Sequence, residues 1–173
     1  MTRDIEAIDD DLSRKKRQIK DILIADPDVV ELLNDPDVDP SCPEELWYSS
    51  IFPFARIPGV QDKTKNFISY SVSEAVSQYN DVNKHQVVVF TIFVHKDNIK
   101  TRYGVARHDL LGYVLRDIFH LSNKLGAQMN LIQNQEGCVD VDYTTRTLKF
   151  ELVLNNSTKT ARSNPHEFGT LVK

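Results

Sequence analysis

Cysteine is scarce. Cys42 and Cys138 are the only two in 173 residues, too few for a disulfide framework or a thiolate metal site. Long hydrophobic runs are missing too, none approaching the ~18 apolar residues that a membrane helix requires. The opening Met1-Thr2-Arg3-Asp4-Ile5 is acidic and helical in character, unlike the apolar stretch of a secretory signal. The six glycines stand singly, so no phosphate-cradling G-x-x-x-x-G-K or G-x-G-x-x-G loop occurs. These absences lead us to expect a soluble protein made in a reducing cytoplasm.

What is present is ordinary globular material, 40% hydrophobic and 27% charged, enough to build a real core. The length suits one domain with some decoration, or one domain plus an arm. The net charge of -4 hides an asymmetry: residues 1–50 hold 14 acidic side chains against 6 basic, and residues 51–173 hold 11 against 15. That mild basic excess fits a solvated surface better than a DNA footprint.

The first segment reads as an amphipathic helix. Ile5, Ile8, Leu12, Ile19 and Ile22 recur at helical steps, with Lys15 breaking the stripe. Asp10 with Arg14 and Asp11 with Lys15 are acid-before-base pairs at i,i+4. Asp26-Pro27 then predicts an N-cap and first helical residue, opening a short helix through Leu33. The stripe suits either the chain's own sheet or a neighbouring subunit.

From Asp35 to Gly59, five prolines punctuate a stretch that also carries Leu46, Trp47, Tyr48, Ile51, Phe52 and Phe54. A loop this long in a compact domain is usually functional. Two readings stay open for its aromatics: a loop folded over the core, or a contact surface for another subunit.

Alternation then predicts strands over 65–72 and 85–95. In the second, Val88, Phe90, Ile92 and Val94 share one face, and Val87, Val89, Thr91 and Phe93 the other. A strand apolar on both faces needs cover on both. A helix is expected from about Val105 to Leu125, stopped at Gly126. A weak strand over 128–133 and a clear one over 145–154, with one wet face, follow. The expected fold is α+β: a single, mostly antiparallel or mixed four-stranded sheet with helices packed on it, in the order α-α-β-β-α-β-β. Its parts are an acidic N-terminal helical arm and loop (1–50), an α+β core (51–155) and a polar tail (156–173), in which Phe168 and Leu171 could dock onto a partner.

Catalytic constellations are hard to find. His85 and His95 bracket one strand ~33 Å apart and cannot share an ion. The local pairs His108–Asp109 and Asp117–His120 suit surface hydrogen bonds. Asp140 and Asp142 could hold Mg²⁺ in a nuclease, but Glu151 is followed by Leu152-Val153, without the lysine such a site wants. No G-x-S-x-G turn is present, and Cys138 has no helix N-terminus to activate it. We therefore expect no catalytic residue, metal or cofactor.

One surface stands out. Lys96, Lys100, Arg102 and Arg107 fall close together with Tyr103 among them. Such a loop can contact phosphates or an acidic protein surface, and we favour the protein contact.

An N-terminal helix leads to Ile51-Phe52-Pro53-Phe54 and Ile57-Pro58, then two strands. The continuation Phe90-Thr91-Ile92-Phe93-Val94-His95-Lys96-Asp97 runs through Tyr103-Gly104 into a helix containing His108-Asp109-Leu110-Leu111, and Tyr143 to Leu154 forms a last strand. Over about residues 45–155 this resembles the small neck proteins of tailed bacteriophages, most closely the tail terminator family. The resemblance implies a non-enzymatic α+β subunit of the virion neck, assembled in the host cytoplasm as a ring, typically a hexamer. Such a ring ends growth of the tail tube and joins tail to head. Implied partners are the tail tube protein and the head-completion or connector proteins, with DNA passing through without specific binding and no membrane involved. Trp47, Phe52, Phe54, Lys96, Lys100, Arg102, Tyr103 and Arg107 are the candidate subunit or partner interface. The alternatives are another head–tail connector or head-completion subunit, a metal-dependent nuclease using Asp140 and Asp142, or a nucleic-acid-binding module using the 96–107 loop.

Overall fold

A computed structural model describes residues 10–58, 64–76 and 83–155. Its elements are helices α1 (Asp11–Ala25) and α2 (Pro27–Leu33), a 3-10 turn (Pro43–Leu46), strands β1 (Ile51–Phe52), β2 (Phe67–Val76) and β3 (Asn83–His95), and a second 3-10 turn (Lys96–Asn98). Helix α3 (Arg107–Phe119) and strands β4 (Met129–Cys138) and β5 (Tyr143–Asn155) complete it. The sheet order is β1-β2-β3-β5-β4. Only β1 and β2 run parallel; every other neighbour is antiparallel.

The class is α+β as expected, with five strands instead of four. The additional strand, β1, lies inside the proline-punctuated stretch, where Ile51 and Phe52 pair with Ile68 and Ser69. Strand β5 is not an edge: it pairs with β3 on one side and β4 on the other. Its wet residues belong to an open sheet face, and the edge is β4.

The helices cover one face. Ile68, Tyr70, Val88, Phe90, Ile92, Val94, Leu148, Phe150 and Leu152 point into a core shared with Ile19 and Leu23 of α1, Val29 and Leu33 of α2, and Leu111, Leu115 and Phe119 of α3. Phe90 stacks on Phe119 at 4.9 Å between ring centroids. The α1 stripe thus packs on the chain's own sheet. Lys15, its apparent interruption, is buried and donates from Nζ to the Leu125 carbonyl at 2.7 Å. Burial lowers its pKa despite the nearby Asp11 carboxylate. Asp10 caps α1 by accepting from the Ser13 amide, and Arg14 pairs with Asp11 one turn away. Ile5 and Ile8, like the tail with Phe168 and Leu171, lie outside the described residues.

Two further expectations need correction. Helix α3 ends at Phe119, because Leu121 adopts a left-handed φ of 57° and the chain turns into β4. Leu125 is buried as part of that connection. The second face of β3 is covered at one end only. There Phe52, Phe67, Phe93 and Tyr143 form a small cluster, whereas Val87 and Val89 are half-buried with no described element above them.

Candidate interaction surfaces

The aromatic loop is held from below by a buried carboxylate. α2 ends on Asn34 in the left-handed conformation (φ 47°), which turns the chain so that the side chain of Asp35 is wholly buried. Asp35 accepts from Ser49 Oγ (2.7 Å), Ser50 Oγ (2.6 Å) and the Asp37 amide (3.0 Å), and pairs with Lys65 Nζ at 2.9 Å. Burial alone would raise its pKa, but the bonds from Ser50, Lys65, Ser49 and the Asp37 amide outweigh that and hold it at about 2. Anchored this way, the loop divides. Leu46, Ile51 and Phe52 enter the interior, while Tyr48, Phe54 and Ile57 remain 58%, 45% and 72% exposed.

Trp47 is half-buried, edge-on to Tyr48 at 4.8 Å, with Lys20 Nζ 5.6 Å from its ring centre. Phe52 lies under the Arg56 guanidinium, 4.2 Å from the ring centre, so it is covered from within the chain. Phe54 stands beyond it, 6.3 Å from Tyr48. The loop thus folds over the core through Leu46, Ile51 and Phe52 and leaves Tyr48, Phe54 and Ile57 uncovered by the chain.

The basic loop uses much of its charge internally. Lys96 pairs with Asp142 across the base of the β4–β5 turn. Arg102 donates to Glu31 Oε1 (2.7 Å) and to the Tyr103 hydroxyl (2.6 Å), and that hydroxyl reaches the same Glu31 oxygen. Arg107 donates from Nε to the Asn98 carbonyl and from Nη1 to the Leu32 carbonyl, pinning the start of α3 to the end of α2. The acidic N-terminal region and the basic loop thus meet within one chain. Lys100 is exposed and has no ion-pair partner among the described residues. The strand register sets Lys96 and the β4–β5 turn at one end of the sheet, since His95 sits opposite Tyr143, whereas β1 runs parallel to β2 and carries the chain toward Phe54 away from that end.

The nuclease candidates are committed elsewhere. Asp140 accepts from the Asp142 and Tyr143 amides, shaping the turn, and Asp142 holds Lys96. His108 is buried, with Nε2 at 3.1 Å from Glu136 Oε1 on β4. His120 takes the Leu131 amide on Nδ1 beside an open hollow lined by Arg116, Asp117 and Leu131. His85 lies 2.8 Å from Glu151, far from His95. Among the described residues no group of three or more His, Cys, Asp or Glu side chains could hold a metal ion.

The exposed surfaces that sequence patterning did not single out are Ile57, Tyr113, and Val139 with Val141 in the β4–β5 turn. Val139 and Val141 sit in a polar turn without periodicity, so nothing marked them beforehand.

The arrangement is that of a two-layer α+β protein with helices on one sheet face and exposed aromatic and basic groups on the two loops. The chain belongs to the YomW family, whose profile matches residues 26–152, from α2 into β5. That name is of prophage type and suggests a phage protein. No curated protein matches the chain, and no described helix is long and apolar enough to cross a membrane.

Proposed function

We propose that this protein is a structural subunit of the phage neck, a tail terminator whose ring, built of six copies, ends growth of the tail tube and joins tail to head. The observation that carries the reading is that Tyr48, Phe54 and Ile57 on the aromatic loop, and Lys100 and Arg102 on the basic loop, stand uncovered in the single chain. Aromatic side chains supply most affinity at protein interfaces, and rim charges steer assembly. The resemblance over residues 45–155 and the phage-type family name support the same reading. The partners are the tail tube protein on one side and a head-completion or connector protein on the other, in a virion assembled in the host cytoplasm. A neighbouring connector subunit would use these surfaces equally well.

The test is made in virions or purified tails, because free subunits of such a ring can stay monomeric until the tube provides a template. Labelling should place the chain at the neck in a copy number that fits a symmetric ring. Lys100→Glu should weaken incorporation without lowering the melting temperature, and higher salt should slow it. Absence from the neck, or a copy number incompatible with a ring, refutes the proposal.

A further inference from the structure

We infer that the two open edges of the sheet join between copies of this chain, the edge strand β4 of one subunit adding onto the outer edge of β2 in the next. The inference rests on the ring proposed above and names its subunit contact.

Strand β4 presents a free row of backbone donors and acceptors from Gln133 onward, its first part being taken by Leu121, Ser122 and His120. Its inner edge pairs with β5 from Met129 to Cys138, and no described strand lies on its outer edge. Proteins guard such edges with lysine, proline or inward-pointing charge, and Met129–Cys138 contains no lysine, arginine or proline. Its one charge, Glu136, is engaged by His108. The bulge between Leu131 and Gln133 disturbs the first part of the strand, leaving Gln133–Cys138 as a regular exposed run.

The opposite edge is open as well. β1 covers β2 only at Ile68 and Ser69, so no described strand lies outside Tyr70–Val76. The one charge there, Glu74, is held by Lys84 and Gln86. Neither edge would bring an uncompensated charge into the joint.

Strand direction selects the occupant. β2 is antiparallel to β3, β3 to β5, and β5 to β4, so β2 and β4 run in opposite directions. Rotating a second copy about an axis along the strands keeps its directions and its helical side. Such a rotation sets β4 of one copy antiparallel to β2 of the next, the more stable pairing. This one heterologous contact satisfies both open edges and repeats around a ring, whereas two-fold pairing of β4 with itself closes a dimer and leaves β2 bare.

A photo-reactive p-benzoylphenylalanine at Gln135, exposed in mid-strand, tests the joint without assuming its register. In virions or purified tails that carry the labelled full chain, the expected intermolecular cross-link maps to peptides within Tyr70–Val76. Cross-links to Met129–Cys138 of another copy, cross-links elsewhere, or none at all would each overturn the inference. The double variant Gln133→Lys/Gln135→Lys adds charge to an exposed edge and should weaken assembly at least about tenfold, with an unchanged melting temperature; unaltered assembly also overturns it. A ring whose Gln135 cross-links elsewhere would sink the strand joint and spare the ring. Cross-links to β2 in open-ended chains would uphold the joint and sink the closed ring.

Discussion

Replacing Asp35 with asparagine keeps its shape and removes one charge from a network whose principal partners are known. The aspartate side chain is wholly buried, and Lys65, its ion-pair partner, is 18% exposed. Asp37 also lies 2.9 Å from Lys65, so the ammonium keeps one carboxylate in the variant and the loss stops short of a fully orphaned buried charge. The carboxyl sits at about 2 in the folded protein against an ordinary 3.8, a difference equivalent to roughly 2 kcal/mol of folding stability. Because the folded value is the lower one, that contribution is fully present above the ordinary carboxylate value. It drains away as pH falls from about 4 through about 2. Urea unfolding of wild type and Asp35→Asn across this range should show a gap of roughly 2 kcal/mol at neutral pH that closes toward pH 2. Other carboxylates titrate in both proteins and cancel in the difference. A gap that is absent, or that stays constant down to pH 2, would refute the reasoning. The same variant should loosen the loop presenting Tyr48 and Phe54, seen as faster amide exchange near Ser49 and Ser50.

Phe90→Ala and Ile92→Ala should each cost on the order of 2–5 kcal/mol in urea unfolding, since both are fully buried beneath the helices; a change under about half a kcal/mol would show that neither packs there. Lys15→Ala strips the Leu125 carbonyl of its donor and should cost on the order of 1–3 kcal/mol by the same assay. No loss would mean that water replaces the ammonium.

Several elements were legible because their signals are local. Asp26-Pro27 marks the start of α2, and its side chain caps the Asp28 and Val29 amides. The alternation in β3 places Val88, Phe90, Ile92 and Val94 on the core face. The end of α3 was hidden because Leu121 and Leu125 continue the helical period, yet Leu125 reaches the core through the connection to β4. β4 reads weakly because an edge strand over an open face has little to bury: only Met129 is buried along it. β1 was masked by Pro53, which stops the strand after two residues. Of the candidate interface residues, Phe54 and Lys100 stand exposed. The partners of Arg102, Arg107 and Lys96 come from Glu31, Leu32 and Asp142. Contacts between residues so distant in the chain leave no trace in local pattern, and the loop's net charge overstated what remains free.

The central pairing of β3 with β5 also sets an order in time. Its partners lie roughly 50 to 70 positions apart in the chain, against a much shorter span for the β2–β3 and β4–β5 hairpins. Each hairpin, and α3 between them, closes locally and quickly, while the long-range ladder must wait for the loop entropy to be met. Until then the flank of β3, lined by Val88, Phe90 and Ile92, stands open to any passing strand. A subunit still emerging from the ribosome is at its most vulnerable to misassembly during that wait, because β5 is the last of the described elements to be synthesised. Truncations that remove β5 should therefore yield aggregates rather than a smaller folded unit.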